Sequence, residues 1–176
     1  MSFQYGAQAV AIAPNRAYVD KIKNTFEVEN EFSVHDSQQV QEVLKQEGLK
    51  EVAALKSLVK DMDMTAISTR ELASIGALLS QLGLTEMYAA SLFFSGNRDC
   101  DENGKARNID IKFNAITLFN QRYQGHLEFS DSHPGYEKNP GFQEWGQGLK
   151  SANHLLGVLA WFSRSPGNVL AVSERV

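Results

Sequence analysis

The chain has 176 residues, 43% hydrophobic and 22% charged, a balance that supports one domain with a full core and argues against a disordered polymer. Its net charge of −4 and its lack of any Lys/Arg-rich block make nucleic acid an unexpected partner. Cys100 is the only cysteine, which excludes an internal disulfide and suggests a reducing compartment, the cytoplasm.

Residues 1–14 show no clear period and read as an N-terminal arm or short strand. Their apolar stretch, Ala9–Ala13, is too short for the hydrophobic region of an export signal, and no Lys or Arg precedes it. No run of about 18 apolar residues occurs, so no membrane span is expected. Tyr18, Ile22 and Phe26 recur at helical spacing and predict a first helix beginning after Asn15. Phe26 to Val34 then alternates apolar and polar residues, the pattern of a strand or a small hairpin around Asn30, although an isolated hairpin is barely stable.

Ser37 is the expected cap of a helix carrying Val40, Val43 and Leu44, with Gly48 as its stop. Val52, Leu55, Val59 and Met62 form the stripe of the next helix. Ser68-Thr69-Arg70-Glu71 is the clearest start signal: the Ser68 hydroxyl can take the amide three residues on, and Glu71 can reach back to the Ser68 amide. Leu72, Ile75, Leu79 and Leu82 follow at helical spacing before Gly83. Thr85 opens a helix with Tyr88, Leu92 and Phe93, and Ile109, Phe113, Ile116 and Tyr123 predict a long helix ending near Gly125. A last helix is expected from about Leu149 to Ser163, broken by Ser165-Pro166-Gly167-Asn168. The expected fold is all-α: a single-domain bundle of about six helices over residues 15–165, with a possible N-terminal strand or hairpin and a tail at 166–176.

One stretch matches a known ligand spacing. Asp99-Cys100-Asp101-Glu102-Asn103-Gly104 reads D-x-D-x-N-G, and Asp110 falls at the twelfth position of a calcium loop. Asp99, Asp101 and Asn103 would give side-chain oxygens, Lys105 its carbonyl, and Asp110 would close the shell, as in a divergent EF-hand-like loop. Against this, Asp110 is one methylene shorter than the usual Glu, Arg107 stands at a ligand position, and Ala106 replaces a branched apolar residue. Of the preceding positions that should be apolar, Ser91, Phe94, Ser95 and Arg98, only Phe94 fits. Arg98, Lys105 and Arg107 also nearly neutralise the four nearby acids, which leaves little attraction for a divalent ion. The competing reading is a polar turn with Gly104 in a left-handed conformation. Cys100, beside it, has no visible catalytic partner.

Other constellations are weaker. His126-Leu127-Glu128 and Asp131-Ser132-His133 bring zinc-type ligands close in sequence, but not at a recurring zinc spacing. Residues 40–55 and 71–92 faintly suggest helix-turn-helix units, yet the second unit's reading helix has Glu86 as its one charged residue. His154 is a lone histidine in an apolar helix, more often a core or rim residue than a base. No G-x-S-x-G, P-loop or dinucleotide fingerprint is present.

The segment 126–148 carries Phe129, Tyr136, Phe142 and Trp145 around two Pro-Gly pairs and reads as an aromatic loop. Long loops in compact domains are often functional, and Tyr and Trp are favoured contact residues, so Tyr136, Phe142 and Trp145 are the candidate interaction residues. The alternative is that these rings pin the loop to the helices beneath. The leading expectation is a non-enzymatic helical module that binds another protein or itself, without a cofactor. The alternatives are a calcium-binding protein using Asp99, Asp101, Asn103 and Asp110, and an enzyme whose site is scattered in sequence.

Overall fold

Leu149, Ala152, Leu155, Leu156, Val158, Leu159, Ala160 and Phe162 are all buried along one helix, which contacts most of the others. A computed structural model describes residues 20–84 and 86–164. Among them are six α-helices: α1 (Ser37–Gln46), α2 (Ala53–Val59), α3 (Thr69–Gln81), α4 (Met87–Ser95), α5 (Ala115–Ser132) and α6 (Pro140–Arg164). A single 3-10 turn, Tyr136–Lys138, joins α5 to α6. Two short strands, β1 (Ile67–Ser68) and β2 (Lys112–Phe113), pair antiparallel, with Ile67 opposite Phe113 and Ser68 opposite Lys112. The fold is therefore an all-α bundle with a minimal two-stranded sheet.

The buried stripes form one hydrophobic cluster. α6 packs against α1, α2, α4 and α5, and α3 packs against α4 and α2. Phe93 of α4 meets Phe119 of α5 edge to face, with centroids 5.4 Å apart. Local chemistry sets the helix ends. Asp36, one residue before the expected Ser37, caps α1 by accepting from the Gln39 amide at 2.8 Å. Gly48, at φ 76°, ends α1, and the Leu49 amide reaches back to the Leu44 carbonyl. The Ser68–Glu71 capping box forms as expected, and Leu72, Ile75 and Leu79 are buried.

Four expectations are corrected. No helix spans residues 20–36; Tyr18 lies outside the described residues, and Phe26 is 89% exposed. This segment is a strap whose backbone is bound by side chains of α5 and its cap. The Lys21 carbonyl accepts from Gln121, that of Asn24 from Thr117, and those of Thr25 and Glu27 from Asn114. Backbone groups satisfied in this way have no need of an i→i−4 ladder. Second, residues 26–34 form no strand or hairpin. Asn30 does make a turn, taking the Ser33 amide on its carbonyl, but that turn inserts Phe32 between Tyr123 and His154 rather than pairing two strands. Third, α5 begins at Ala115, not near Ile109. Asn114 caps it by accepting from the Thr117 amide, and Phe113 lies in β2. The helix also continues through Gly125 to Ser132.

The fourth correction concerns the aromatic loop. Residues 126–148 are mostly helical, and only 133–139 separate α5 from α6. Asn139 is extended and accepts from the Phe142 amide at 3.1 Å, while Pro140 takes the first helical position, where its missing N–H costs nothing. The glycines that follow are packing positions. A methyl group at Gly148 would strike Tyr88 of α4, and one at Gly157 would strike the carbonyl of Phe32. The break expected at residues 165–168, the arm at 1–14 and the tail at 166–176 lie outside the described residues, as does Thr85.

Candidate functional site

Helical geometry places His126, Phe129 and His133 on one side of the last two turns of α5 and its cap. The following 3-10 turn supplies Tyr136, and the first turn of α6 supplies Phe142. These five rings pack on one another. His126 stacks on Phe142 with centroids 4.1 Å apart, and Phe129 stacks on His133 at 4.0 Å. Tyr136 meets Phe129 edge-on at 5.0 Å, and also Phe142 and His133 at 5.7 and 6.1 Å. The cluster nonetheless faces outward: Tyr136 is 48% exposed, Phe129 37%, and neighbouring Leu127 39%.

The corner is held by polar bonds as well as by stacking. His133 Nδ1 contacts the Phe129 carbonyl at 3.1 Å, and the Glu137 carboxylate accepts the Gly135 amide at 2.6 Å. Gly135 has φ 109°, a conformation that favours glycine. Gln143 donates to the Glu137 carbonyl, tying α6 back to the 3-10 turn. Gly146 lets α6 close on His126, since a methyl group there would run into Nε2. His126 Nδ1 is buried without a hydrogen-bond partner, and burial pushes its pKa below the ordinary histidine value.

Of the three candidate interaction residues, Tyr136 and Phe142 belong to this cluster. Trp145 sits one turn further along α6, edge-on to Tyr88 at 5.9 Å and partly buried against the core. Sequence reasoning gave His126 and His133 as metal-type ligands and missed them as ring partners. The spacing of His126, Phe129 and His133, at i, i+3 and i+7, carried that signal once α5 is known to extend past Gly125.

The loop at 99–110 directs its side chains elsewhere. Asp101 Oδ1 accepts the amides of Asn103 and Lys105, each at 2.9 Å, and Cys100 bridges Ala106, so residues 100–106 form a tight polar turn. Gly104 at its tip has φ 78°. Asp110 is held by Arg70 of α3, Nε to Oδ1 at 2.6 Å and Nη2 to Oδ2 at 3.1 Å, and these bonds lower its pKa. Asp99 is 7% exposed and pairs through Oδ2 with Arg107, while its Oδ1 has no hydrogen-bond partner. Among the described residues no group of three or more His, Cys, Asp or Glu side chains is placed to hold a metal ion.

Two other buried titratable groups lie apart from both places. His154 is half-buried, edge-on to Phe32 at 5.0 Å; burial lowers its pKa, Lys150 lowers it further, and Glu31 opposes both. Glu47, 6% exposed, accepts from the Ser151 hydroxyl; burial raises its pKa, the Ser151 bond opposes this, and Glu86 adds to the rise. A 450 Å³ hollow lies at the far end of α6, bounded by Val28, Met62, Asp63, Thr65, Ser163 and Arg164. No helix among the described residues is long and apolar enough to cross a membrane. Comparison with protein-family models, with curated proteins and with solved structures finds no match to this chain.

Proposed function

We propose that this chain is a non-enzymatic protein-interaction module that binds its partner through the ring cluster at the α5–α6 corner. One observation carries the reading: Phe129 and Tyr136 are packed into an ordered five-ring cluster and still expose 37% and 48% of their surface. Rings that only pinned the connection would be expected to turn inward. Ordered, amphipathic rings lose little conformational entropy when a partner covers them, which is why Tyr and Trp dominate interface energetics. The unpaired Cys100 suits a reducing compartment, and we place the module in the cytoplasm.

Site-specific photo-crosslinking tests the proposal. Benzoylphenylalanine in place of Tyr136 is expected to give a discrete adduct in cells. The same group in place of Asp61, an exposed residue beside the opposite end of α6, should not. Equal labelling from the two positions, or none from either, would defeat the reading.

A further inference from the structure

We infer that the outer face of α4 is a docking site for this chain's own N-terminal segment, residues 1–19, through the apolar stretch Ala9–Ala13. The inference stands apart from the ring-cluster reading. Alone among the six described helices, α4 has no charged residue. A helix that is apolar all round is ordinarily covered all round. The inner face is covered: Ala89, Leu92 and Phe93 are buried, and α4 packs on α3 and α6. The outer face is open. Met87, Ala90, Ser91 and Phe94 share it at i, i+3, i+4 and i+7, with Met87 81% and Phe94 45% exposed. The Ser91 hydroxyl is turned onto the Tyr88 carbonyl at 2.8 Å, which engages it within the helix.

The segment before Asp20 departs from one end of this face. The Asn97 side chain holds both backbone groups of Asp20, accepting from its amide at 2.9 Å and donating to its carbonyl at 3.3 Å. Arg122 adds a second tie, donating to the Asp20 carboxylate at 2.8 Å and to the Gly96 carbonyl at 2.9 Å. Asn97 follows Phe94 by three residues. From Phe94 back to Met87 the helix runs about 10 Å. Ala9–Ala13 lies seven to eleven residues before Asp20, a reach of roughly 23–36 Å in extended chain. The stretch can therefore lie over the whole face. Its chemistry matches: residues 1–19 contain no acid, and Arg16 is their one charged side chain.

Other occupants fit less well. A charged segment would lose hydration on a helix that offers it no charge, whereas an apolar one gains by covering Met87 and Phe94. Tethering decides between apolar occupants. A segment held at Asp20 has an effective concentration on the order of millimolar at the face, which a separate protein must exceed. A second copy is disfavoured by area. The nine residues of α4 are about 14 Å long, too short a face for the roughly 800 Å² that each partner of a stable dimer buries.

Paramagnetic broadening in the full chain tests the inference. A nitroxide is attached at Gln8→Cys, with Cys100→Ser removing the other thiol. A tether alone brings the label near α4 part of the time. The baseline is therefore the same labelled chain carrying Val10→Asp/Ile12→Asp, which keeps the tether and spoils the apolar stretch. Amide signals of Met87–Ser95 are expected to lose most of their intensity with the natural stretch and markedly less in the baseline chain. Met87→Asp/Phe94→Asp, at two exposed positions, should reduce the loss to the same baseline. Spin-labelled chain mixed with isotope-labelled, nitroxide-free chain should give no broadening. Identical profiles with and without the Asp substitutions in the segment, broadening indifferent to Met87→Asp/Phe94→Asp, or a maximum on residues 126–145 would overturn the inference. Equal broadening between separate chains would overturn it in favour of a second copy.

Discussion

The ammonium of Lys112 lies 2.6 Å from Oε1 of Glu71, whose other carboxylate oxygen receives the Ser68 amide at 2.8 Å. Lys112 stands opposite Ser68 in the strand pair, so the short sheet delivers a cation to the helix cap. Burial tends to raise the pKa of Glu71, but bonds from Lys112 and Ser68 outweigh it and hold the carboxyl below its ordinary value. A depressed carboxyl contributes stability that is full above its unfolded value of 4.5 and is lost as pH falls through the folded value. Ser68→Ala should cost about 1 kcal/mol in denaturant melts. Glu71→Gln should flatten the acid limb of stability below about pH 4.5, which Ser68→Ala leaves mostly in place. An unchanged acid limb in Glu71→Gln would mean that the pairing has no weight in solution.

Three helical glycines give a graded test of packing. Gly125 of α5 has nothing within 4 Å of a built methyl group, so Gly125→Ala should stabilise by about 0.5–1 kcal/mol through helix propensity alone. Gly157→Ala drives a methyl into the Phe32 carbonyl, and backbone does not yield easily; a loss of about 1–3 kcal/mol is expected. Gly146→Ala meets the His126 ring, which can swing at the expense of its stacking on Phe142, and should fall between the two. Calorimetric midpoints in any other order would contradict the helix contacts described above.

The buried histidines and Glu47 act on stability with opposite signs. Burial lowers the pKa values of His126 and His154 from 6.5, so their contribution is full above that value and is lost as pH falls through the folded values. The pKa of Glu47 is raised from 4.5, so its contribution is full below that value and is lost as pH rises through the folded one. His154→Gln should therefore reduce the fall of the melting midpoint below about pH 6.5. Glu47→Gln should raise the midpoint at about pH 8 and leave it nearly unchanged at about pH 4.

Trp145 and Tyr136 should separate by assay. Trp145 is packed on Tyr88 and the core, so Trp145→Ala is expected to lower stability by about 2–4 kcal/mol. Tyr136 is half exposed on the 3-10 turn, and Tyr136→Ala should cost less than about 1 kcal/mol while weakening partner binding. Similar thermal losses for the two variants would make Tyr136 a structural pin.

Micromolar calcium is expected to leave the melting midpoint unchanged. Several of the candidate oxygens are already engaged: both of Asp110 by Arg70, Oδ2 of Asp99 by Arg107, and Oδ1 of Asp101 by two amides. A midpoint rise with calcium that Asp99→Ala removes would instead establish a cation site in this loop.

Much of the bundle was legible because its signals are local. The Ser68–Glu71 box and the stripes ending at Gly48 and Gly83 need only a few residues on either side, and each produced its helix. The strap at 20–36 was misread because Tyr18, Ile22 and Phe26 have helical spacing, while the groups that bind its backbone, Asn114, Thr117 and Gln121, lie far along the chain. The α5–α6 corner was misread because glycine and proline have two meanings. His133-Pro134-Gly135 is a turn, but Asn139-Pro140 is a cap followed by a first helical residue, and Gly146, Gly148 and Gly157 are contact points visible only once neighbours are placed. Tyr136 and Phe142 were found by residue type, whereas the ring cluster they share depends on the true lengths of α5 and α6.

The helix that contacts α1, α2, α4 and α5 is the last of the six in chain order. During synthesis the first five therefore emerge without the element that closes their common core. Phe32 must wait for Gly157 and His154, and Tyr88 for Gly148. Such long-range closure slows folding and keeps apolar stripes open to solvent until residues 140–164 leave the ribosome. A nascent chain halted before Pro140 should remain protease-sensitive, and protection should arrive in one step as α6 clears the exit tunnel.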